Sequence, residues 1–389
     1  MLNEIETQLT SNIIPFWEGL RDDQFGGTYG WMDYDLKVDP KAVKGCILNS
    51  RITWFFAQGY LSLHDPALLE QAKHNYEFMK QHCFDSTYGG VYWSVTYDGR
   101  PEDTTKHTYN QAFAIYALST YYDASKDPEA LKLADSLFEL IETKMRDEGG
   151  YLEAFRRDFT PESNEKLSEN GVMAARTMNT ILHVFEAYTE FYRVSGRADV
   201  KEKLEWILDV FAAKIYNPAK HRQEVFFDHE YHSLIDLHSY GHDIETAWLI
   251  DRATKILNEP KYFELMDPIT ADLVQNVYET GFDGHSLAEE CERGRVNETR
   301  VWWVQAEAIN GFLNAYEKNP AKKEYLEAAK SIWAFINAHV IDHRPNSEWY
   351  WEVNQDGSPI AGKPIVEPWK CPYHNGRMCY EALRRKIDA

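Results

Sequence analysis

Phe25-Gly26-Gly27-Thr28-Tyr29-Gly30-Trp31 is the first of six segments, each rich in glycine or aromatic residues, that are spread along the chain. The next two are Tyr88-Gly89-Gly90-Val91-Tyr92-Trp93 and Glu148-Gly149-Gly150-Tyr151-Leu152. Weaker versions follow at Glu224-Val225-Phe226-Phe227, Asp283-Gly284-His285-Ser286 and Trp349-Tyr350-Trp351. Counted from Gly26, the steps between the segments are 63, 60, 75, 60 and 65 residues. A period of this length that stays nearly constant indicates an internal repeat.

Between these segments, apolar residues recur every three or four positions, which is the spacing of one face of an α-helix. The first series runs over 2–20, and Pro15 is expected to kink or end that helix. Further helices are expected at 47–60, 108–122, 128–144, 173–195, 200–215, 241–257, 268–278, 301–317, 325–339 and 374–386. Eleven or twelve helices in six units mean about two helices per unit.

Six helical hairpins close naturally into a toroid whose inner helices line a central cavity. We therefore predict an all-α fold, a six-hairpin α/α toroid or (α/α)6 barrel, with short β-hairpin or aromatic turns between its helices. Two separate helical bundles are the alternative. Length alone suggests two or three domains, but no linker or low-complexity segment interrupts the pattern, so a single catalytic domain over 1–389 is expected.

The composition excludes several classes of partner. The chain has 62 acidic residues against 41 Lys and Arg, a net charge of −21, and no basic stripe, which argues against nucleic acid and anionic membranes. No apolar run reaches the ~20 residues of a membrane span, and the first residues lack the pattern of a signal peptide. A cytoplasmic location is expected. The five cysteines never form a CxxC pair, which suits reduced thiols.

The segment Ser239-Tyr240-Gly241-His242-Asp243-Ile244-Glu245-Thr246-Ala247-Trp248 joins a loop to the start of an apolar helix, with Gly241 expected as the break. His242 and Glu245 are three residues apart and share the helix face of Trp248. A histidine in a first helical turn feels the positive end of the helix dipole, which favours neutral imidazole. His242 is therefore a candidate general base, although a helix-start histidine more commonly makes only a structural hydrogen bond.

Other polar residues also lie on apolar faces. Arg51 has no acidic residue within one helical turn, so it either meets a polar or anionic group in the cavity or forms a bridge to a distant carboxylate. Asn179 and His183 are four residues apart and stack on one face. Tyr109 belongs to an aromatic stripe, a pattern that more often marks core than site.

Tryptophans near the C-terminal part of the chain are candidates for contact with sugar. Glu307 follows Trp303 by one helical turn, which places a flat apolar ring beside a hydrogen-bond acceptor. Such a pair fits the apolar face of a sugar ring and its hydroxyl groups. Trp369 lies between prolines shortly before His374, which starts the last helix in the same way as His242 starts an earlier one. Two helix-start histidines near tryptophans are stronger evidence for a site than either alone.

Neither a metal nor an organic cofactor is expected. Four histidines between His229 and His242 invite a metal, but the spacing is not HExxH and no acidic ligand set completes it. No phosphate-binding loop, dinucleotide fingerprint or nucleophile elbow is present. A glycoside hydrolase would need a carboxylate pair, which the abundant acidic residues could supply, although helix-start histidines fit that chemistry less well.

These residues resemble the N-acylglucosamine 2-epimerase superfamily of six-hairpin α/α barrels. The similarity runs from Ile14-Pro15-Phe16-Trp17 to Tyr373-His374-Asn375-Gly376-Arg377, which is nearly the full chain. Its strongest parts are Leu48-Asn49-Ser50-Arg51, Met178-Asn179-Thr180-Ile181-Leu182-His183, Tyr240-Gly241-His242-Asp243-Ile244-Glu245, Trp302-Trp303-Val304-Gln305-Ala306-Glu307 and Trp369-Lys370-Cys371-Pro372-Tyr373-His374. Together these motifs are specific to the superfamily and discriminate less well between its sugars.

The resemblance implies a cofactor-independent inversion at C2 of a reducing-end sugar through a cis-enediolate. It implies that His242 and His374 are the two acid/base histidines, that His183 is a third essential histidine and that Arg51 is the cavity arginine. The positions that would contact sugar or orient the histidines are Tyr109, Asn179, Glu245, Trp303 and Trp369.

The expected substrates are β-1,4-linked disaccharides such as cellobiose, with lactose or mannobiose as further ones. The nearest rivals are a monosaccharide N-acylglucosamine 2-epimerase and an aldose-ketose isomerase. From other classes, a glycoside hydrolase and a carbohydrate-binding protein stay open. The only expected partner is a small disaccharide, bound by a monomer or a weak homodimer.

Overall fold

The structure is a computed structural model that describes residues 1–167 and 170–387. Its α-helices are α1 (Leu2–Gln8), α2 (Ile14–Glu18), α3 (Cys46–Leu63), α4 (Pro66–Phe78), α5 (Thr108–Ser125), α6 (Pro128–Lys144), α7 (Met178–Ser195), α8 (Ala198–Val210), α9 (Tyr240–Leu257), α10 (Pro260–Thr280), α11 (Trp302–Lys318), α12 (Lys323–Phe335) and α13 (Tyr373–Arg385). A π-helical turn, Leu9–Ile13, joins α1 to α2, and similar turns extend α4, α8 and α12. No helix of the described ranges is long and apolar enough to cross a membrane.

Six helices form a closed inner ring, in which α3, α5, α7, α9, α11 and α13 contact one another in that order and α13 returns to α3. The helices α4, α6, α8, α10 and α12 pack outside, each against the inner helix that precedes it. The sixth hairpin joins the two ends of the chain, since α1 packs against α13. The (α/α)6 toroid predicted from the sequence is confirmed.

The two ends of the ring are built differently. From inner to outer helix the chain turns within a few residues, with a left-handed residue such as His64, Lys126 or Asn258 at the helix end. A proline then occupies the first turn of the outer helix in three of these hairpins, at Pro66, Pro128 and Pro260, where its missing N–H costs nothing. This end of the ring is therefore formed by short turns.

At the opposite end, called the mouth here, the long connections from outer to inner helix carry the six glycine and aromatic segments. Short antiparallel strands order them, namely β1 (Lys44–Gly45), β2 (Ser94–Val95), β3 (Pro101–Asp103), β4 (Lys106–His107), β5 (Ala154–Phe155), β6 (Arg176–Thr177), β7 (Tyr216–Asn217), β8 (Arg222–Gln223), β9 (Phe226–Phe227), β10 (Leu237–Ser239), β11 (Glu290–Glu292), β12 (Arg295–Asn297), β13 (Arg300–Val301) and β14 (Glu352–Val353). The sheets are β1-β2-β3, β4-β5, β6-β9, β7-β8, β10-β11-β12 and β13-β14. Five of the inner helices start directly after one of these strands.

Buried ion pairs repeat beside these strands. A lysine or arginine just before an inner helix reaches back to an acidic residue of the preceding turn, as Lys44 Nζ does to Asp22 Oδ2 at 2.6 Å and Lys370 Nζ to Glu348 Oε2 at 2.5 Å. Lys106 with Asp85 is an equivalent buried pair. In the pairs of Arg176 with Asp147 and Arg300 with Asp283 the arginine is buried but the carboxylate is partly exposed. Because a buried charge needs a partner, each pair fixes where the inner helix begins.

Some helix boundaries differ from those expected. Helix α7 begins at Met178 rather than 173, because residues 176–177 form β6 and Thr177 caps the helix. Helix α10 begins at Pro260 and runs through Pro268, which was expected to start it. Pro15 lies in the first turn of α2 and does not end the helix there. Helix α4 was missed entirely.

Candidate active site

A cavity of about 310 Å³ lies at the mouth, where the first turns of the inner helices converge. Each inner helix or the segment just before it contributes a side chain. Nine of the ten residues expected from the sequence line the cavity, namely Arg51, Tyr109, Asn179, His183, His242, Glu245, Trp303, Trp369 and His374. The fold therefore brings together residues that are more than 300 positions apart.

His374, on α13, is held by a carboxylate. Its Nδ1 lies 2.8 Å from Oε1 of Glu307, and an ionised carboxylate can only accept a hydrogen bond, so Nδ1 carries the proton. Nε2 is then the unprotonated nitrogen available to the cavity. Burial and the nearby Arg377 guanidinium hold the pKa of His374 well below its ordinary value, which keeps the ring neutral and able to accept a proton.

His183, on α7, has the same kind of partner. Its Nδ1 lies 2.9 Å from Oε2 of Glu186, and burial lowers the pKa of the imidazole. Burial opposes ionisation of Glu186 as well, but Arg377 and His183 outweigh it and lower the pKa of that carboxyl to about 2. Glu186 is therefore an anion that orients His183 with Nε2 toward the cavity.

His242, on α9, is held by a hydroxyl instead. Its Nδ1 is 2.7 Å from Oγ of Ser239, and burial, with a contribution from His183, lowers the pKa of His242 to about 3. The imidazole ring lies 4.7 Å from the ring of Trp303. Gly241 is not the helix break expected from the sequence, since it lies within α9. A side chain does not fit at this position, because a Cβ would come within 2.7 Å of the Trp303 ring.

Arg51 is a buried cation that has no anionic partner among the described residues. Its Nη2 donates to the hydroxyl of Tyr109 at 2.9 Å and its Nη1 to the backbone oxygen of Trp369 at 3.3 Å. Aromatic rings cover the guanidinium, the nearest being Phe113 at 4.2 Å. Within residues 1–167 and 170–387 no carboxylate lies within ion-pair distance of it, so the bridge to a distant carboxylate is absent there. Such a cation is suited to negative charge that appears on a ligand.

Glu307 is placed differently from the sequence expectation of a sugar acceptor beside Trp303. Its carboxylate is fully buried behind His374 and accepts from His374, from Arg377 Nη2 at 2.7 Å and from Trp248 Nε1 at 2.9 Å. No part of Glu307 lines the cavity. Its contacts make it a support for His374.

Arg377 links the supports of two histidines and was not found from the sequence. Its Nη1 donates to Glu186, and its Nη2 donates to both Glu245 and Glu307. A spacing signal was present in the sequence, because each histidine is followed three positions later by a charged residue on the same helix face. The three pairs are His183 with Glu186, His242 with Glu245 and His374 with Arg377.

The cavity offers ring faces and unpaired polar atoms together. Trp303 and Trp369 are half-buried, while Oδ1 of Asn179 and Oε2 of Glu245 are buried and have no hydrogen-bond partner in the part of the chain that the structure describes. Trp302, which was not predicted as a site residue, also lines the cavity, and its indole N–H likewise lacks a described partner. Apolar plates beside unsatisfied donors and acceptors are typical of a carbohydrate site.

One group of residues beside the cavity has the side chains of a metal site. Ligand atoms of Glu245, Glu307 and His374 lie within 4.8 Å of one another. The guanidinium of Arg377 already contacts both carboxylates, however, and a metal ion there would meet this positive charge. The donor set therefore fits an arginine network better than a cation site.

Comparison with known proteins agrees with this geometry. The family model described as N-acylglucosamine 2-epimerase (GlcNAc 2-epimerase) matches residues 27–375. The cellobiose 2-epimerase of Eubacterium cellulosolvens is 52% identical over 405 residues and covers 100% of both chains. The crystal structure of a sugar epimerase from a ruminal bacterium has a TM-score of 0.99 at 48% identity over 100% of both chains. For the cellobiose 2-epimerase of Bacillus thermoamylovorans B4167 the TM-score is 0.95 at 45% identity, over 99% of both chains.

The family model spans most of the chain, and these similarities extend over its full length. The resemblance implied by the sequence motifs is thereby confirmed. The chain belongs to the N-acylglucosamine 2-epimerase family of carbohydrate isomerases.

Proposed function

We propose that the chain inverts C2 of the reducing-end sugar of β-1,4-linked disaccharides, converting cellobiose to glucosyl-mannose without a metal or organic cofactor. One observation carries the proposal. Three histidines with their Nδ1 atoms engaged, His183, His242 and His374, surround one cavity beside the uncompensated cation of Arg51. The similarity to proteins named cellobiose 2-epimerase supports the choice of substrate.

The first step is ring opening, because C2–H is acidic only beside a free aldehyde. A proton leaves the anomeric hydroxyl, a proton is delivered to the ring oxygen, and the C1–O5 bond breaks. A neutral imidazole can perform both transfers near neutral pH. We assign this step to His183, whose Nδ1–H is fixed by Glu186 and whose Nε2 is left for the substrate.

In the second step one histidine takes the proton from C2 and the electron pair of that bond moves onto the carbonyl oxygen. The resulting cis-enediolate carries negative charge, which Arg51 stabilises. The proton on the first histidine passes through solvent to the other histidine, which then delivers a proton to the opposite face of C2, so the aldehyde is restored and both imidazoles are neutral again. His242 and His374 are the two bases, and no electron leaves the sugar. Return of the proton to C1 instead would give the ketose.

The outer part of the cavity supports a disaccharide rather than a monosaccharide. Beyond Trp303 and Trp369, its lining includes Trp351 and Lys363, with the Lys363 ammonium 5.3 Å from the Trp351 ring. These groups offer a second aromatic face for the non-reducing sugar. Lactose and mannobiose have the same linkage and are proposed as further substrates. The acidic surface fits a cytoplasmic enzyme, a monomer or weak homodimer, that binds neither nucleic acid nor membrane.

The test is NMR of the EDTA-treated protein with cellobiose in D2O. Glucosyl-mannose carrying deuterium at C2 is the expected product. Exchange with free mannose or N-acetylglucosamine, but not with cellobiose, would assign the protein to monosaccharides. Release of glucose would make it a hydrolase and contradict the histidine roles. Binding of cellobiose without any turnover would leave a carbohydrate-binding protein.

A further inference from the structure

Two buried glutamates of the site share one cation. Oε1 of Glu245 and Oε1 of Glu307 both accept from Nη2 of Arg377, while Nη1 of the same guanidinium is taken by Glu186. All four side chains are almost completely buried, at 3% exposure or less. Three carboxyl groups therefore surround a single positive charge.

A second cation, Arg51 on α3, lies over the same Tyr373 ring as Arg377, but within the described ranges it forms no ion pair with these carboxyl groups. The remaining titratable groups nearby are uncharged. His242 lies on the same helix as Glu245, His183 on α7, His374 and Tyr373 on α13, and Tyr109 on α5. Burial lowers the pKa of all three histidines and raises that of both tyrosines, so these groups are neutral near pH 7. In the part of the chain that the structure describes, Arg377 is the sole arginine or lysine within ion-pair distance of Glu245. Three ionised carboxylates would leave uncompensated negative charge in a buried cluster, at a high free-energy cost.

Hydrogen bonds decide which carboxyl holds a proton. Glu307 accepts from His374 and Arg377 at Oε1 and from Trp248 and Asn310 at Oε2, so both of its oxygens must be acceptors. Glu186 similarly accepts at both oxygens, from Arg377 at Oε1 and from His183 and Tyr373 at Oε2. Glu245 accepts from Arg377 at Oε1 alone, and its Oε2 has no hydrogen-bond partner in residues 1–167 and 170–387.

We propose that Glu245 is a neutral carboxylic acid whose Oε2–H donates a hydrogen bond to a sugar oxygen in the cavity and keeps its proton through the reaction. This inference rests on the proposed function. Glu245 lines the cavity, whereas Glu307 does not. A donor of this kind gains strength as the sugar oxygen becomes the oxygen of an enediolate, so it would favour the intermediate over the substrate. It complements Arg51 without adding another buried cation to Arg51 and Arg377.

The pKa of Glu245 is shifted in the direction that this role requires. Burial, the Glu307 carboxylate and Glu186 raise the pKa of Glu245 to about 8 against the opposing effect of Arg377. Below that pH the group is an acid and a donor. Above it the proton is lost, and the carboxylate would repel an enediolate.

The kinetic test compares Glu245→Gln with the matched control Glu307→Gln. An amide can still accept from Arg377 and donate to the sugar, so Glu245→Gln should lower kcat by less than about tenfold and remove the alkaline fall of kcat near pH 8. Glu307→Gln removes the anion behind His374 and should lower kcat by at least about 100-fold. Equal losses in the two variants, with circular dichroism unchanged, would overturn the proposal.

A direct measurement does not depend on turnover. Infrared difference spectra at pH 6.5 and pH 9.5 should show the C=O stretch of a protonated carboxyl in the wild-type protein at the lower pH. Part of this band should disappear in Glu245→Gln, whereas the part from Glu153, whose pKa burial raises to about 7, should remain. In Glu307→Gln the loss of a neighbouring carboxylate should move the Glu245 component of the band to lower pH. Absence of the Glu245 component from the wild-type protein at pH 6.5 would contradict the proposal even if cellobiose is epimerised. A wild-type protein that keeps this component but leaves cellobiose unchanged would instead contradict the proposed function.

Discussion

His374 and His242 face the same cavity and both lie beside the Trp303 ring, but they are held by different partners. The ring of Trp303 is 5.4 Å from His374 and 4.7 Å from His242. His374 donates to the carboxylate of Glu307, which fixes the proton on Nδ1. His242 meets the hydroxyl of Ser239, which can donate or accept.

Because of these partners, the two histidines differ in which ring nitrogen can carry the proton. His374 has one tautomer, with Nε2 as the base, and its charged form would be stabilised by Glu307. His242 can hold its proton on either nitrogen, since Ser239 can rotate its hydroxyl to match. In each direction a reversible epimerase needs one histidine that accepts a proton and one that donates a proton. The exchangeable tautomer of His242 suits this need, because Nε2 of His242 can carry a proton or leave its lone pair free.

Replacement of either histidine by alanine should abolish epimerisation. Loss of a positioned acid/base group lowers the rate by about 10²- to 10⁴-fold, and here no other group can serve its face of C2. NMR in D2O should be run on each variant with both cellobiose and glucosyl-mannose. Deuterium exchange without inversion, starting from one epimer only, would identify the face that the remaining histidine serves. Undiminished exchange in both His242→Ala and His374→Ala, with intact circular dichroism, would refute the assignment.

Alanine substitutions at two glycines beside the histidines should have different effects, one on substrate binding and the other on stability. A Cβ at Gly241 would come within 2.7 Å of the Trp303 ring, so Gly241→Ala should displace this ring and raise KM by about tenfold. A Cβ at Gly376 would come within 2.5 Å of Phe55 in the core. Gly376→Ala should therefore lower the free energy of unfolding by about 1–3 kcal/mol with little change in KM. Steady-state kinetics and urea unfolding of both variants check this contrast, and a KM effect confined to Gly376→Ala would contradict it.

Removal of the hydroxyl behind His242 should have a smaller effect. Ser239→Ala deletes one neutral hydrogen bond, worth about 0.5–1.5 kcal/mol, so kcat should fall by about two- to tenfold. This loss should be far below that of Glu307→Gln, because a hydroxyl does not stabilise the imidazolium as an anion does. Nitrogen-15 NMR of the imidazoles should show a changed tautomer at His242 only. A loss as large as that of Glu307→Gln would show that the two supports are equivalent.

The smallest effect on kcat/KM is expected when the pH is lowered moderately. Protonation of a catalytic imidazole would stop it from accepting the C2 proton, but burial lowers the pKa of His242 to about 3 and that of His374 in the same direction. The profile of kcat/KM should therefore stay level as the pH falls through 6.5, the ordinary histidine value. Since the disaccharide does not titrate there, an acid limb centred near pH 6.5 would show that at least one of these histidines has an ordinary pKa.

Much of this arrangement could be predicted because it depends on local pattern. The repeat of glycine and aromatic segments gave the number of hairpins, and the apolar faces gave most helices. His242, His374 and Arg51 stood out because titratable groups on apolar faces are costly unless they have a purpose. Helix α4 was missed because only a narrow stripe of it is buried, although Asp65-Pro66 is a helix-start signal that recurs at Asp127-Pro128.

The partners of the catalytic groups could not be predicted in the same way. Glu307 and His374 meet across 67 residues, and Glu186 and Arg377 across 191, so their pairing depends on how the ring closes. Trp303 and Glu307 are four residues apart and were expected to share a face toward the sugar. Instead Glu307 is buried behind His374, because the buried Arg377 and Trp248 both need its oxygens.

The hairpin formed by α1 and α13 has a consequence for how activity arises during folding. Five hairpins are local and can form as soon as their residues are available, whereas the sixth joins helices from opposite ends of the chain and is the slowest contact to make. His374 and Arg377 both lie on α13. In a refolding experiment, the recovery of epimerase activity should therefore lag behind the recovery of the helical circular dichroism signal. The length of that lag would measure how long the ring takes to close.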